Sequence, residues 1–236
     1  MTFAARRVGV VIPTRNEAKA LPRVLEAMPD FVDAVVVSDW RSTDGTPDVA
    51  RRFGATVVDV SGPGYGRACL EAIAALPATD IIVFVDGDAA DDMRAMASLV
   101  SPIVDGTADF ALGSRVLGHR ERGALTPQQV FGNWLACRLI RLWWGTRYTD
   151  LGPFRAISTD AYRSLGMADL NYGWTVEMQV KAANLGLRTI EIPVDYKRRV
   201  GISKVSGTLS GTIKAGVKIL WVIGREAWFA RGRTIT

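Results

Sequence analysis

The chain has 236 residues, 48% of them hydrophobic, which is enough for one well-buried domain. Its 29 Lys and Arg against 24 Asp and Glu leave a net charge of +5, which favours a polyanionic partner: nucleotide phosphates, an anionic lipid surface or nucleic acid. Two cysteines, Cys69 and Cys137, without metal-ligand spacing, and a single histidine, His119, exclude a zinc framework and chemistry built on a His base. Carboxylates, basic groups and a hard metal remain.

In chain order, the N-terminal MTFAARRVGVVIPT lacks the apolar stretch and cleavage site of a secretory leader, so a reduced, cytoplasmic protein is expected. Strand-like apolar runs recur at 8–12, 34–38, 56–60 and 81–85, and the segments between them carry helical periodicity, as in Leu21, Val24, Leu25 and Met28. That alternation is the βαβ pattern of a parallel sheet with helices on both faces, whose ligands bind beyond the carboxyl ends of the strands. A fifth strand at 108–115 leads into a polar, basic stretch, and then into an apolar, aromatic, arginine-bearing segment at 133–148. A short strand at 153–158, a helix from Trp174 to Asn184, a strand at 188–192 and a C-terminal helix from about Gly207 complete the expected order. No linker divides the chain.

Polar residues cluster after the strands, at Pro13 to Glu17, Asp39 to Thr46, Ser61 to Gly66 and Asp86 to Asp92. FVDGDAADD places Asp86 and Asp88 at the end of a buried strand, spaced to reach one hard cation such as Mg²⁺ or Mn²⁺ that also bridges a substrate diphosphate. Asp39 is positioned to hydrogen-bond a nucleobase or ribose, while Ser42 to Thr46 read as a turn and helix cap. GPGYGRA, at 62–68, reads equally as backbone approach to a ligand and as a flexible turn, since its spacing matches neither the dinucleotide nor the Walker A pattern. Arg115 ends the fifth strand, where a guanidinium grips an anion or forms a surface ion pair. YKRRVGISK, at 196–204, suits a basic loop closing over a diphosphate.

Taken together, VVIPTRNEAKALP, DWRSTDGT, GPGYGRA, FVDGD, LGSR, DLGPFRA and EMQVKAANLG…IPVDYKRRVGISK resemble the inverting family 2 glycosyltransferases. The likeness covers about residues 8–205 and is nearest to the dolichyl- or polyprenyl-phosphate mannosyltransferase and glucosyltransferase branch. It implies a single Rossmann-like α/β domain of the GT-A type, with a mainly parallel sheet. In it residues 1–206 form the transferase domain, divided into a nucleotide-binding half (about 1–115) and an acceptor half (about 116–206). A C-terminal amphipathic helix (207–236) follows.

By the same resemblance Pro13, Asn16, Glu17 and Asp39 bind the nucleoside, Asp86 and Asp88 hold the diphosphate through Mg²⁺ or Mn²⁺, and Arg199, Ser203 and Lys204 close on phosphates. Asp88, Arg115, Asp150 and Arg155 form the catalytic set, and Arg115, Asn133 and Glu177 face the acceptor. The partners implied are a nucleotide-sugar donor, GDP-mannose before UDP-glucose, and a polyprenyl phosphate or another anionic acceptor. Nucleic acid is set aside, and oligomerisation stays open.

The chain departs from the family pattern at Trp40, where a second aspartate is usual, at Ala90, where a residue such as Gln is usual, and at Gly152-Pro153. Gln129-Val130 also replaces a Ser-Arg pair. Relatives that use hydroxyl acceptors carry a Glu-Asp pair where only Glu177 is available, so the acceptor is expected to be a phosphate that needs no general base. Near the C-terminus Leu209, Ile213, Val217, Leu220, Trp221, Gly224 and Trp228 form one apolar stripe beside Lys214, Lys218 and Arg225. That stripe suits either an interfacial helix on an anionic membrane or packing within protein.

Overall fold

A computed structural model describes residues 6–201 and 209–233. The strands are β1 (Val8–Thr14), β2 (Ala34–Asp39), β3 (Thr56–Asp59), β4 (Ile81–Phe84), β5 (Phe110–Ser114), β6 (Arg155–Ser158) and β7 (Thr189–Pro193). The helices are α1 (Leu21–Glu26), α2 (Thr46–Arg52), α3 (Tyr65–Ala74), α4 (Met96–Val104), α5 (Pro127–Trp144), α6 (Thr159–Leu165), α7 (Trp174–Asn184) and α8 (Leu209–Arg233). One seven-stranded sheet in the order β3-β2-β1-β4-β6-β5-β7 runs through the molecule.

Val, Ile and Phe fill β1 and β4 on both faces, as strands covered on both sides require. One apolar layer, around Phe84, Phe110, Trp174 and Ile140, joins the sheet to α3, α5, α6 and α7; the other, around Ile12, Met96 and Leu99, joins it to α1, α2 and α4. The mainly parallel α/β expectation therefore holds, with one local difference. β6 is antiparallel to both of its neighbours, with Phe84 opposite Arg155. An apolar run carries no direction, so the sequence pattern could not reveal this. The reversal matters for function, because it brings the residues entering β6, from Asp150 to Phe154, to the same edge as the carboxyl ends of β1, β2, β4 and β5.

α5 starts six residues before the expected segment. Thr126 and Gln129 form a reciprocal cap and Pro127 opens the first turn, while Gly145 at φ 72° ends the helix. Along α8 the described side chains divide into two apolar faces. Val222, Ile223 and Ala227 are buried, whereas Val217, Leu220, Trp221 and Trp228 are exposed. The described part of the expected stripe thus faces outward, and different residues pack α8 onto the domain. Lys218 and Arg225 do not flank that stripe as free cations: Lys218 pairs with buried Asp169 at 2.8 Å, and Arg225 with buried Glu177 at 3.3 Å. Among the described residues no helix is long and apolar enough to cross a membrane.

Candidate active site

A cleft of about 440 Å³ opens along the carboxyl edge of the sheet. At one end its wall comes from Pro13 at the end of β1, Arg15 and Glu17 just after it, Trp40 after β2, and Pro63 to Tyr65 at the start of α3. Asp86 and Asp88 lie in the middle, and Arg115, Gln129, Pro153, Asn171, Tyr172, Tyr196 and Arg199 complete the far side. The chain thus gathers in one place most of what its motifs promised.

The central turn is tightly specified. Asp88 accepts through Oδ1 from the Ala90 amide at 3.0 Å, which helps Ala89 hold a left-handed φ of 59°. Its Oδ2 lies 2.7 Å from Arg199 Nη2. Asp86 Oδ1 accepts from the Tyr65 hydroxyl at 3.0 Å. Burial first, and then the charge of Asp88, raise Asp86 from 3.8 to about 6, with Arg199, Tyr65 and Arg115 pulling the other way. Close by, Asp91 is 7% exposed and neither carboxylate oxygen has a hydrogen-bond partner. Burial and the charges of Asp86 and Asp88 push its carboxyl well above the usual range.

A carboxyl raised in the folded state binds protons there more readily than in the unfolded chain. Asp86 therefore contributes stability below pH 3.8 that is lost as pH rises through about 6. In the metal-free protein, the unfolding free energy of wild type relative to Asp86→Asn is expected to fall across that window. A flat difference in paired denaturant titrations would contradict the assignment.

The far wall is held by a buried ion pair. Arg115 donates from its amide and from Nε to Asp150 Oδ2, at 2.8 and 2.7 Å, and from Nη2 to Asp150 Oδ1 at 2.7 Å. The same carboxylate also accepts from the Leu151 amide at 2.8 Å. All its contacts are donors, so Asp150 aims Arg115 and has no oxygen to spare for a ligand. Asn133 supports the arrangement by donating to Thr149 O at 3.0 Å and accepting from the Leu151 amide at 2.8 Å. It is a brace for the wall rather than an acceptor contact.

Three further expected ligand contacts are corrected by burial. Asp39 is 3% exposed and accepts from the Ser42 amide and hydroxyl at 2.9 and 2.5 Å and from Thr14 at 3.2 Å. It organises the turn beneath the cleft, and Trp40 occupies the wall above it. Arg155 is buried and donates to the carbonyls of Gly152, Leu151 and Thr175. Desolvation lowers its guanidinium to about 10, and its hydrogen bonds hold the approach to β6 instead of reaching a sugar. Glu177, fully buried, accepts from the Ala168 and Asp169 amides at 3.2 and 2.8 Å and pairs with Lys181 at 2.9 Å. It lies on the core side of α7, away from the cleft.

Asn16, at φ 55°, ties β1 to the β2 turn by accepting from the Thr43 amide at 2.8 Å and donating its own amide to Ser42 Oγ at 2.7 Å. Glu17 and Pro13 line the cleft. Ser203 and Lys204 lie outside the described residues.

Two glycines of GPGYGRA, Gly64 and Gly66, serve packing. A Cβ on Gly66 would sit 1.9 Å from Asp169 O, and one on Gly64 2.0 Å from Leu170 O. The Gly66 and Arg67 amides donate to Asn171 O and Leu170 O at 3.3 and 3.0 Å, which presses the loop carrying Asn171 and Tyr172 against the start of α3. Because backbone atoms are in the way, Gly66→Ala is expected to destabilise the fold by about 2–3 kcal/mol. Urea unfolding at wild-type stability would show that the two segments separate freely.

Several cleft residues carried no usable sequence signal. Asn171 and Tyr172 belong to no motif. Trp40 and Gln129 stood out only as departures from the family pattern, and both line the cleft. Arg15 lies with its Cζ 4.0 Å above the Trp40 ring, a cation–π contact that stiffens this end.

A mainly parallel-sheet α/β domain with paired carboxylates and three arginines, Arg15, Arg115 and Arg199, in the cleft at its carboxyl edge is the GT-A architecture of nucleotide-sugar transferases. The Glycosyl transferase family 2 model matches residues 9–166, and the chain belongs to that family. An uncharacterized glycosyltransferase of Mycobacterium tuberculosis is 37% identical over 216 residues, spanning 90% of this chain and 96% of that protein. The undecaprenyl-phosphate mannosyltransferase of Micrococcus luteus is 30% identical over 222 residues, spanning 87% and 90%. The dolichyl-phosphate hexose transferase of Haloferax volcanii is 30% identical over 212 residues, spanning 86% and 89%. Among solved structures, glucosyl-3-phosphoglycerate synthase from Mycobacterium tuberculosis, in complex with Mn²⁺, UDP and glucosyl-3-phosphoglycerate, has a TM-score of 0.74 at 23% identity, covering 95% and 81% of the two chains. That is a likeness of fold.

Proposed function

We propose that this glycosyltransferase moves a hexose, with inversion at the anomeric carbon, from a nucleotide sugar to a phosphate oxygen of a polyprenyl phosphate. GDP-mannose is the first donor to consider and UDP-glucose the next. The observation that carries this reading is the orientation of Glu177. With it turned into the core, the carboxylates lining the cleft among the described residues are Glu17, Asp86 and Asp88. Glu17 stands at the nucleoside end and the Asp pair in the middle, so none is placed to deprotonate an acceptor hydroxyl. A phosphate acceptor arrives already anionic and needs no base.

In this mechanism Asp86 and Asp88 present oxygen donors to Mg²⁺ or Mn²⁺. These two side chains would hold the cation as hard oxygen donors. When bound, such a cation supplies Lewis-acid neutralisation of the departing diphosphate. Arg199 adds a second positive charge on that side. Arg115, fixed by Asp150, faces the acceptor phosphate and aligns it for in-line attack. Pro13, Glu17 and Trp40 frame the nucleoside. In this reading the nucleotide half is assigned to about residues 1–115 and the acceptor half to about 116–206, while the described part of α8 packs back onto the domain through Val222, Ile223 and Ala227.

The exposed apolar residues of α8, with Phe131, Trp134 and Leu142 on α5, suit a protein resting on the cytoplasmic face of a membrane while it takes a lipid acceptor. The names of the Micrococcus and Haloferax relatives support the lipid-phosphate reading. A second reading, a soluble phosphorylated or carboxylated acceptor, draws support from the phosphoglycerate ligand named for the structural neighbour. The test is transfer of label from GDP-mannose and UDP-glucose, with Mg²⁺ or Mn²⁺, to polyprenyl phosphate and to a soluble metabolite extract. Label in the organic phase is expected; label confined to the aqueous phase would put the soluble acceptor in its place.

A further inference from the structure

We propose that Arg199 is a resident counter-cation of Asp88, that it excludes a divalent metal until a nucleoside diphosphate draws it away, and that cation and nucleotide therefore bind as a cooperative pair. The inference rests on the reading of Asp88 as a metal ligand.

Both Asp88 oxygens are engaged in the ligand-free protein: Oδ1 by the Ala90 amide at 3.0 Å and Oδ2 by Arg199 Nη2 at 2.7 Å. The Asp88 side chain is 5% exposed and that of Arg199 is 30% exposed, so water screens the contact poorly on the carboxylate side. A divalent ion at Oδ2 would meet a guanidinium already seated there, and the two like charges exclude one another. Arg199 cannot simply withdraw, since a partly buried guanidinium without an anion loses both its pairing and much of its hydration.

The backbone around this contact is fixed. The Val200 amide donates to Asp88 O at 2.9 Å and the Lys197 amide to Ala90 O at 2.8 Å. Exchange is therefore a rotation of the Arg199 side chain from one anion to another within the same cleft, with the chain remaining tied to the Asp88 turn. A diphosphate entering beside Asp86 and Asp88 offers that second anion, and its oxygens match the guanidinium fork as well as a carboxylate does. Once Arg199 turned to phosphate, Asp88 Oδ2 would be open to the cation. Coupling of this kind is reciprocal: GDP raises metal affinity by the factor by which the metal raises GDP affinity.

The test is a titration of Mn²⁺ followed by the electron paramagnetic resonance of free Mn²⁺, with and without GDP, on wild type, Arg199→Ala, Arg199→Gln and Asp88→Asn. Wild type is expected to bind Mn²⁺ weakly alone and at least about fivefold more tightly with GDP. Either Arg199 substitution is expected to tighten Mn²⁺ binding in the absence of GDP while weakening GDP binding, so that the coupling shrinks. Mn²⁺ binding that is lost in Asp88→Asn but identical in wild type and both Arg199 variants would overturn the proposal and leave Asp88 as a ligand. Mn²⁺ binding that survives in Asp88→Asn would overturn the underlying reading as well.

Discussion

Replacing Asp88 by Asn is expected to lower kcat/KM by about 10³-fold or more, corresponding to about 4 kcal/mol of lost transition-state stabilisation of the leaving diphosphate. The fold should survive, because the Asn carbonyl still accepts from the Ala90 amide and the charge of Asp86 remains beside Arg199. In the proposed mechanism the substitution removes one of the two charged oxygen donors for the cation, and with it much of the compensation for charge building on the nucleotide. Steady-state kinetics across a Mg²⁺ and Mn²⁺ series check this. Full activity with unchanged metal dependence would remove Asp88 from the role.

The largest stability effect is expected from Asp150→Asn. The side chain is isosteric, yet every group around the carboxylate is a donor: the Arg115 amide, Nε and Nη2, and the Leu151 amide. An asparagine satisfies one side and turns its NH₂ against N–H groups on the other. Arg115, with its side chain 12% exposed, is left without a full counter-charge, and breaking such a pair from one side costs about 3–5 kcal/mol. For a chain of this size that corresponds to a melting temperature lower by roughly 10 °C. The variant should also lose activity beyond the effect on folding, because Arg115 no longer holds its direction. A loss under about 1 kcal/mol in denaturant unfolding would place the pair among ordinary surface ion pairs.

The strand-ending motifs were legible because a parallel sheet forces ligands to one edge, and Asp86, Asp88 and Arg115 duly meet there. The bounds of α7 match the expected 174–184, although its buried residues, Val176 to Val180 among them, run around the helix rather than along one face. Burial of polar residues was not legible. Asp39, Arg155 and Glu177 have the residue types a sugar-nucleotide site needs, and their motifs are in the right places. Whether a carboxylate or guanidinium points into the cleft or under it depends on which backbone groups wait there, as the Ser42 amide does for Asp39 and the Thr175 carbonyl for Arg155. Gly64 and Gly66 of GPGYGRA were misleading in the same way, since the backbone that demands them, at Asp169 and Leu170, is far away in sequence. β6 shows the remaining limit: four residues of strand pattern read the same in either direction.

Along α8 the helical period correctly announced an apolar stripe. It did not reveal that a second apolar face, at Val222, Ile223 and Ala227, does the packing. Nor could it show that Lys218 and Arg225 are drawn to Asp169 and Glu177. Those carboxylates lie on the loop before α7 and on α7 itself, so the ion pairs anchor α8 to the segment that carries the cleft residues Asn171 and Tyr172.

The proposed mechanism is tested most directly by the anomeric configuration of the product. Direct in-line attack by an acceptor phosphate on the α-linked sugar of GDP-mannose or UDP-glucose predicts a β-linked glycosyl phosphate, read from the anomeric proton and carbon couplings in NMR of product made with excess acceptor. An α-linked product would contradict single displacement in this cleft, and free hexose alone would show that no acceptor phosphate is engaged.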